Sequence, residues 1–309
     1  MKKNYFLFVI ILFFLHIFSC KRPDITPAYL FLSAEDFKDC IDVSNFNNEF
    51  DTSYDDNELD VVKKQYFKDV FVSLNGTELG YWQLPCTIPL LPNYSNEDNI
   101  RIVPCVRVIN TVVTTVQYPF VTPVVYFFEF EREKIFKVPK IEYKYVPSVE
   151  FPILETFVQS INFKPIEPDT VSMKIWQDEA LEKDIGRIVL KDSVSFFDVG
   201  TSYFYLLGKG ERQFWEISYK SINGQMTTYL NFQNTISGIT YQSMVVLPST
   251  SGVWKHTYID ITDIIRQACD VASQVSVRLG ISGNKNNDSF DAEFYFEYVK
   301  LITMAAPYY

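Results

Sequence analysis

Large apolar residues alternate with polar ones in short runs along most of the chain, and a period of two marks strands with one buried face. Val70-Phe71-Val72-Ser73-Leu74 is such a run, and the Asn75-Gly76 pair behind it predicts a tight hairpin, because both central residues of a type I′ turn need positive φ. The return strand extends from Thr77 towards Trp82. Upstream, Tyr29, Phe31 and Ser33 alternate with Leu30 and Leu32 in a first strand, whereas Phe37 to Val43 fits either a second strand or a short helix. Leu84 to Leu91 and Ile100 to Val106 flank the polar stretch Pro92 to Asn99 and predict another hairpin. Its simplest register sets Leu91 against Ile100 and Cys86 against Cys105, a pairing compatible with a cross-strand disulfide.

From Val124 to Val146 the chain stays extended, with Tyr126, Phe128 and Phe130 opposed to Phe127, Glu129 and Glu131. Pro139, Pro147 and Pro152 divide this part into edges and connections, since proline removes a ladder donor. The second half carries strand candidates at Gly186 to Val199, Phe214 to Lys220, Met226 to Phe232, Ile239 to Leu247, His256 to Thr262, Gln274 to Ser282 and Ala292 to Ile302. Only Asp263 to Ala272 has helical spacing, with Ile264, Ile265, Ala268 and Val271 behind an acidic start. These runs predict an all-β chain of two β-sandwich domains, residues 29–147 and 148–309, divided near Pro147. Between Glu35 and Asp60, ten acids stand against the single base Lys38, which predicts a solvated, mobile loop in preference to a cation-binding one, since no acids sit at calcium-loop spacing with the required glycine.

The chain begins with a different pattern. Lys2 and Lys3 precede 14 residues, Tyr5 to Phe18, that form an apolar run short of the ~20 a spanning helix needs, as a signal-peptide core does. Ser19-Cys20 at its end resembles the bacterial lipobox. The resemblance implies a signal peptide at residues 1–19, acylation of Cys20, and a lipidated tether over residues 20–28 containing Pro23 and Pro27. The implied location is the cell envelope, with the chain anchored to the outer membrane.

Val-x-Val-x-Leu-Asn-Gly-x-x-x-Gly from Val70 to Gly80, with Pro85 beyond, resembles the strand-hairpin core of PEGA-type domains. With Pro27-Ala28-Tyr29 before it and Gln117-Tyr118-Pro119-Phe120 after it, the segment resembles uncharacterised Bacteroidota envelope lipoproteins, which implies an immunoglobulin-like sandwich and no activity. In the second half, Ile153-Leu154-Glu155-Thr156-Phe157, the run Trp254 to Ile261 and Phe294 to Leu301 resemble strands of galactose-binding-like and carbohydrate-binding-module jelly rolls. That resemblance implies glycan binding and a possible structural calcium held by Glu155 and Glu297; two further positions often acidic in such folds are Thr156 and Tyr298 here.

Composition narrows the chemistry. A formal net charge of −10 excludes nucleic-acid binding by phosphate neutralisation. Beyond residue 19, His256 is the single histidine, and Cys40, Cys86, Cys105 and Cys269 form no metal-binding spacing, so a histidine-rich metal site is excluded. No GxSxG or Cys/His pattern is present, and no catalytic residue is assigned. A carboxylate-dependent glycosidase would have to draw on Glu216, Asp260, Glu293 and Glu297. Glycan binding would use stacking faces and hydrogen-bonding side chains, for which Trp215, Tyr219, Tyr229, Tyr241, Trp254, Asn231 and Arg278 are the candidates. Asp169-Thr170-Val171 and Asp192-Ser193-Val194 resemble a Bacteroidota O-glycosylation signal, with Thr170 expected in an exposed connection and Ser193 in a strand. The function expected from all this is a lipid-anchored envelope protein that binds glycan through its second domain. A structural or assembly component recognised by other envelope proteins is the alternative, and a glycoside hydrolase the second alternative.

Overall fold

The computed structural model describes residues 26–304, apart from 94–96, 110–112, 168–169, 192, 235–237, 270–272 and 288. Cys20 and the apolar run before it lie outside the described residues. The first half contributes β1 (Ala28–Leu32), β2 (Asp69–Leu74), β3 (Thr77–Gln83), β4 (Cys86–Leu90), β5 (Asp98–Ile109), β6 (Val113–Gln117), β7 (Val124–Phe128) and β8 (Ile135–Lys137). The second half contributes β9 (Val149–Glu155), β10 (Phe163–Pro165), β11 (Lys174–Asp178), β12 (Lys183–Leu190), β13 (Phe196–Thr201), β14 (Tyr205–Gly208), β15 (Arg212–Ile222), β16 (Gly224–Asn234), β17 (Gly238–Leu247), β18 (Lys255–Asp260), β19 (Gln274–Lys285) and β20 (Ala292–Met304). The protein is all-β.

The largest sheet crosses the whole molecule in the order β11-β12-β20-β15-β18-β5-β2-β3, with β9 on β20 and with β6 and β7 on β5. Its two parts meet where β18 runs parallel to β5, pairing Tyr258 with Val108 and Ile259 with Ile109. A six-stranded sheet, β10-β13-β19-β16-β17 with β14 on β19, packs against the β12-β20-β15 side through a core that includes Ile188, Phe294, Phe296, Ile217, Leu230 and Leu279. A three-stranded sheet, β4-β1-β8, closes the other core with Leu30, Ile88, Val72, Ile102 and Phe120. Phe214, Tyr258 and Ile302 also belong to that first core, so the first half packs on the outer face of the second half's sheet. At β9 the register shifts opposite Leu301 and Thr303, which lets Val149 and Phe151 face the first core and Ile153 the second.

Local signals and tertiary pairing part company in two places. The Asn75-Gly76 turn forms between β2 and β3, with φ of 50° and 79° at the two residues. The hairpin expected between Leu84 to Leu91 and Ile100 to Val106 does not form. Instead β4 pairs with β1, setting Cys86 against Leu32, while Cys105 on β5 faces Asp69 and Gln117. Along its length β5 is engaged by β2, β6, β7 and β18, so no stretch of its edge is left for β4. Cys86 and Cys105 are free thiols in different sheets, which corrects the expected disulfide. Burial pushes the Cys105 thiol up to about 12 and Cys86 up to about 11, so both stay protonated at neutral pH.

The acidic stretch is the second correction. A 3-10 turn at Glu35–Phe37 and short helices at Phe46–Glu49 and Asp56–Lys63 replace the expected loop. Asp55 caps the last of these by accepting from the backbone N–H of Asn57 and Glu58, while the Glu58 carboxylate accepts from the Asp55 N–H at 2.9 Å. The acids remain at the surface because a few apolar anchors, Phe37, Ile41, Phe46 and Val62, bury into the first core.

Candidate functional site

Alternation along β12, β15 and β20 turns Ile188, Tyr219, Phe294 and Phe296 into the second core and points Arg187, Lys220, Glu293 and Tyr295 the opposite way. Arg187 is opposite Tyr295, and Tyr295 is opposite Lys220, so the three form one row across adjacent strands. Trp176 on β11, diagonal to Arg187 since Lys174 holds the directly opposite position, flanks the row at one end, and Trp254, just before β18, flanks it at the other.

The row is held by stacked cations. The Arg187 guanidinium lies 4.2 Å from the Trp176 ring centre and 5.4 Å from that of Tyr295. The Lys220 ammonium lies 4.5 Å from Tyr295 and 4.8 Å from Trp254. Two carboxylates fix these cations: Arg187 Nη2 donates to Glu293 at 2.9 Å, and Lys220 Nζ to Asp178 at 3.3 Å. In the sheet order β12 and β20 stand between β11 and β15, and the Asp178–Lys220 pair joins the two outer strands. Burial raises the Asp178 carboxyl, but the Leu181 and Ala180 backbone donors and Lys220 outweigh it and hold it below the usual range. Glu293 is likewise raised by burial and lowered further by the Tyr295 hydroxyl and Arg187, with a net shift downward. Partial burial beside that carboxylate pushes Tyr295 up to about 12, so it keeps its proton. Beside Trp176, which is 49% exposed, the surface opens into a cleft of about 340 Å³ lined by Val171, Ser172, Lys174, Ile175, Trp176, Arg187, Val189 and Lys191.

The rest of this outer face is covered by the first half of the chain. Glu216 on β15 and Lys300 on β20 are opposite each other and 3.0 Å apart, and neither is more than 1% exposed. Tyr118 donates to Glu216 at 2.7 Å and Gln65 at 3.3 Å, while Lys300 donates to the carbonyl oxygens of Lys64 and Val61. At the border of the covered and open parts, Glu297 receives Lys64 at 2.7 Å, Lys183 at 3.0 Å and the Ser218 hydroxyl at 2.7 Å. Burial alone would raise Glu297; Lys183, Lys64 and Ser218 together hold it at about 2.

The structure redistributes the residues expected to bind. Trp215 is fully buried in the second core and offers no face to a ligand, because its parity along β15 is that of Ile217 and Tyr219. Tyr229 is 1% exposed, with its hydroxyl donating to Asp198 and its ring against Gly280. Tyr219 and Asn231 are buried too. Tyr241 is exposed but belongs to β17 in the other sheet, as Arg278 belongs to β19, so neither joins Trp254. Trp254 alone of the expected aromatics reaches the open row. Trp176, Arg187, Lys220 and Tyr295 were not singled out, since their convergence depends on the pairing of four strands.

Glu155 and Glu297 do not fit the expected calcium cage. Two ammonium groups meet Glu297 Oε1 and the Ser218 hydroxyl donates to its Oε2, while Glu155 accepts from the backbone N–H of Phe157 and Asn162. Among the described residues no cluster of His, Cys, Asp and Glu suits a metal ion. The four carboxylates considered for glycoside hydrolysis have separate partners: Lys300 for Glu216, Arg187 for Glu293, Lys64 and Lys183 for Glu297, and the Thr262 N–H for Asp260. A general acid must hold its proton near neutral pH, whereas Glu293 and Glu297 are both shifted downward. The two hydroxyls also exchange expectations. Ser193 is exposed in a turn, and Thr170 is half-buried with its hydroxyl donating to the Glu167 carbonyl at 2.8 Å.

No family model matches the chain, and no curated protein matches it. Among solved structures, the C-terminal family 22 carbohydrate-binding module of Clostridium thermocellum Xyn10B is similar at 11% identity over 51% of this chain and 95% of that one, with a TM-score of 0.33. The family 11 carbohydrate-binding module from Clostridium thermocellum, in complex with a β-1,3-1,4-mixed-linked tetrasaccharide, is similar at 13% identity over 51% and 96%, with a TM-score of 0.34. A Clostridium thermocellum N-terminal xylanase 10B chain, joining a CBM22-1 and a GH10 module, is similar at 11% identity over 49% of this chain, with a TM-score of 0.35; the match spans 28% of that longer chain. At these values the likenesses transfer no residue role to this protein.

Proposed function

We propose that the protein is a lipid-anchored binding protein of the cell envelope, held in the outer membrane through Cys20, which captures glycan on the open row from Trp176 to Trp254. The observation that supports this most is the convergence of three aromatic rings, two cations and the Glu293 carboxylate on one sheet face, with the buried Asp178 paired to Lys220. A pyranose presents an apolar C–H face and a rim of hydroxyls. It therefore needs a ring to stack on and charged groups at the ring's edge to exchange hydrogen bonds with those hydroxyls. Trp176 supplies an exposed indole, and Arg187, Glu293 and Lys220 supply donors and acceptors that are already fixed, so little side-chain entropy is lost on binding.

Affinity electrophoresis of the full chain, held in detergent, through gels containing single polysaccharides tests the proposal. At least one polysaccharide is expected to retard the protein, and Trp176→Ala is expected to weaken that binding by roughly thirtyfold, as the loss of a central aromatic contact does. Equal migration in every gel would overturn glycan capture. The anchor is tested separately: Cys20→Ala is expected to release the protein from membranes and to abolish incorporation of radiolabelled palmitate. Labelling that survives the substitution would rule out acylation at this residue.

A further inference from the structure

The cleft beside Trp176 has a charge of its own. Lys174, Arg187 and Lys191 line it, and no acidic side chain among the described residues does, although the whole chain carries a formal net charge of −10. Register places the cluster: Lys174 on β11 is opposite Arg187 on β12, and Lys191 directly follows the end of β12, on the side of the strand shared by Arg187 and Val189. Lys174 and Lys191 are exposed and form no ion pair among the described residues. Arg187 is bound by Glu293 through Nη2, yet its Nε–H is left without a hydrogen-bond partner. Among the described residues the carboxylate paired with this cluster is Glu293, shared by the Tyr295 hydroxyl and Arg187 and lowered also by the charge of Lys191. Counting Glu293 against the three cations leaves the described part of the cleft positive.

We infer that this cleft takes a sugar ring bearing an anionic substituent, the uronate or sulfated unit of an acidic polysaccharide, and this rests on the reading of the open row as a glycan site. A neutral glycan would need no such cluster, because its hydroxyls are satisfied equally well by acids, amides and backbone groups. The Trp176 indole stacks on the ring, while the ring's carboxylate or sulfate lies among Lys174, Arg187 and Lys191. Ser172, exposed in the same lining, offers a hydroxyl at the rim. The neutral part of the row beyond Arg187, where Lys220 is held by Asp178, accommodates the sugars that follow.

The test titrates the full chain in detergent, by calorimetry, with polygalacturonate, alginate and a sulfated galactan, each paired with its esterified or desulfated counterpart. The charged form of at least one pair is expected to bind about tenfold tighter than its neutral form, the size of effect that two or three partly exposed ion pairs supply. A Lys174→Gln, Lys191→Gln double variant, altered only at exposed positions, is expected to erase most of that preference. Preference for the uronates identifies carboxylate as the anion, and preference for the galactan identifies sulfate; either supports the inference. Equal binding of charged and neutral forms would overturn it and leave glycan capture standing, as would a preference that survives the double variant. Absence of binding to every charged and neutral polymer would overturn it as well, while retardation by a different polysaccharide would leave glycan capture standing.

Discussion

Lys300→Met is expected to lower the free energy of unfolding by about 3–5 kcal/mol, the usual cost of removing one partner from a buried ion pair. Lys300 and Glu216 are 0% and 1% exposed. Removing the ammonium leaves Glu216 with only Tyr118 and Gln65 as donors, and two backbone carbonyls, those of Val61 and Lys64, lose theirs. The cost arises because a carboxylate out of water must be neutralised or paired, and burial here leaves it no solvent to return to. Pairing the change with Glu216→Gln should recover much of the loss, since Gln can still accept from Tyr118 and carries no charge. Urea denaturation of the three variants measures this directly. If Lys300→Met alone shifted stability by less than about 1 kcal/mol, water would have to reach Glu216, contrary to its burial.

Trp215→Ala is expected to cost about 3–5 kcal/mol, because a fully buried indole leaves a large cavity in the second core. Trp215→Phe should cost much less, as the indole Nε1–H is buried without a hydrogen-bond partner and its loss removes no contact of that kind. Thermal unfolding with the same protein's polysaccharide affinity separates the two tryptophans: Trp215→Ala lowers Tm, whereas Trp176→Ala, at a site 49% exposed, lowers affinity with little change in Tm. A Trp215→Ala protein as stable as the parent would contradict its placement in the core.

The fold was legible wherever a local signal decides local geometry. Alternation located most of the strands, Asn75-Gly76 located the hairpin, and the acidic start before Ile264 and Ile265 located the helix at Thr262–Ala268. A further local signal, Asp55 followed by Glu58 ahead of Val61 and Val62, marks the capping box of the helix at Asp56–Lys63, but the density of acids around it masks the start. Partnership between strands was less legible. Nothing within Cys86 to Leu90 says that its edge belongs to β1 and not to β5, because any strand offers the same backbone donors and acceptors to either.

By itself, then, the sequence determined an all-β chain, the short-range turns and caps, and the shared parity of Trp215, Ile217 and Tyr219 once β15 is recognised as one strand. Only the tertiary structure decided which outward residues meet water. Opposite Ser218 and Tyr219 the register of β20 shifts, so Tyr295 before the shift and Tyr298 and Lys300 after it share a face, although a strict period of two places Tyr295 and Lys300 on opposite faces. The first half of the chain then covers the part of that face around Lys300 and leaves the part around Tyr295 open. The site exists because β11, β12, β20 and β15 lie side by side, bringing Asp178 and Lys220 from remote parts of the chain within 3.3 Å. Periodicity reports the direction of one strand's side chains and carries no information about which strand lies beside it or what covers it; long-range pairing and packing supply both.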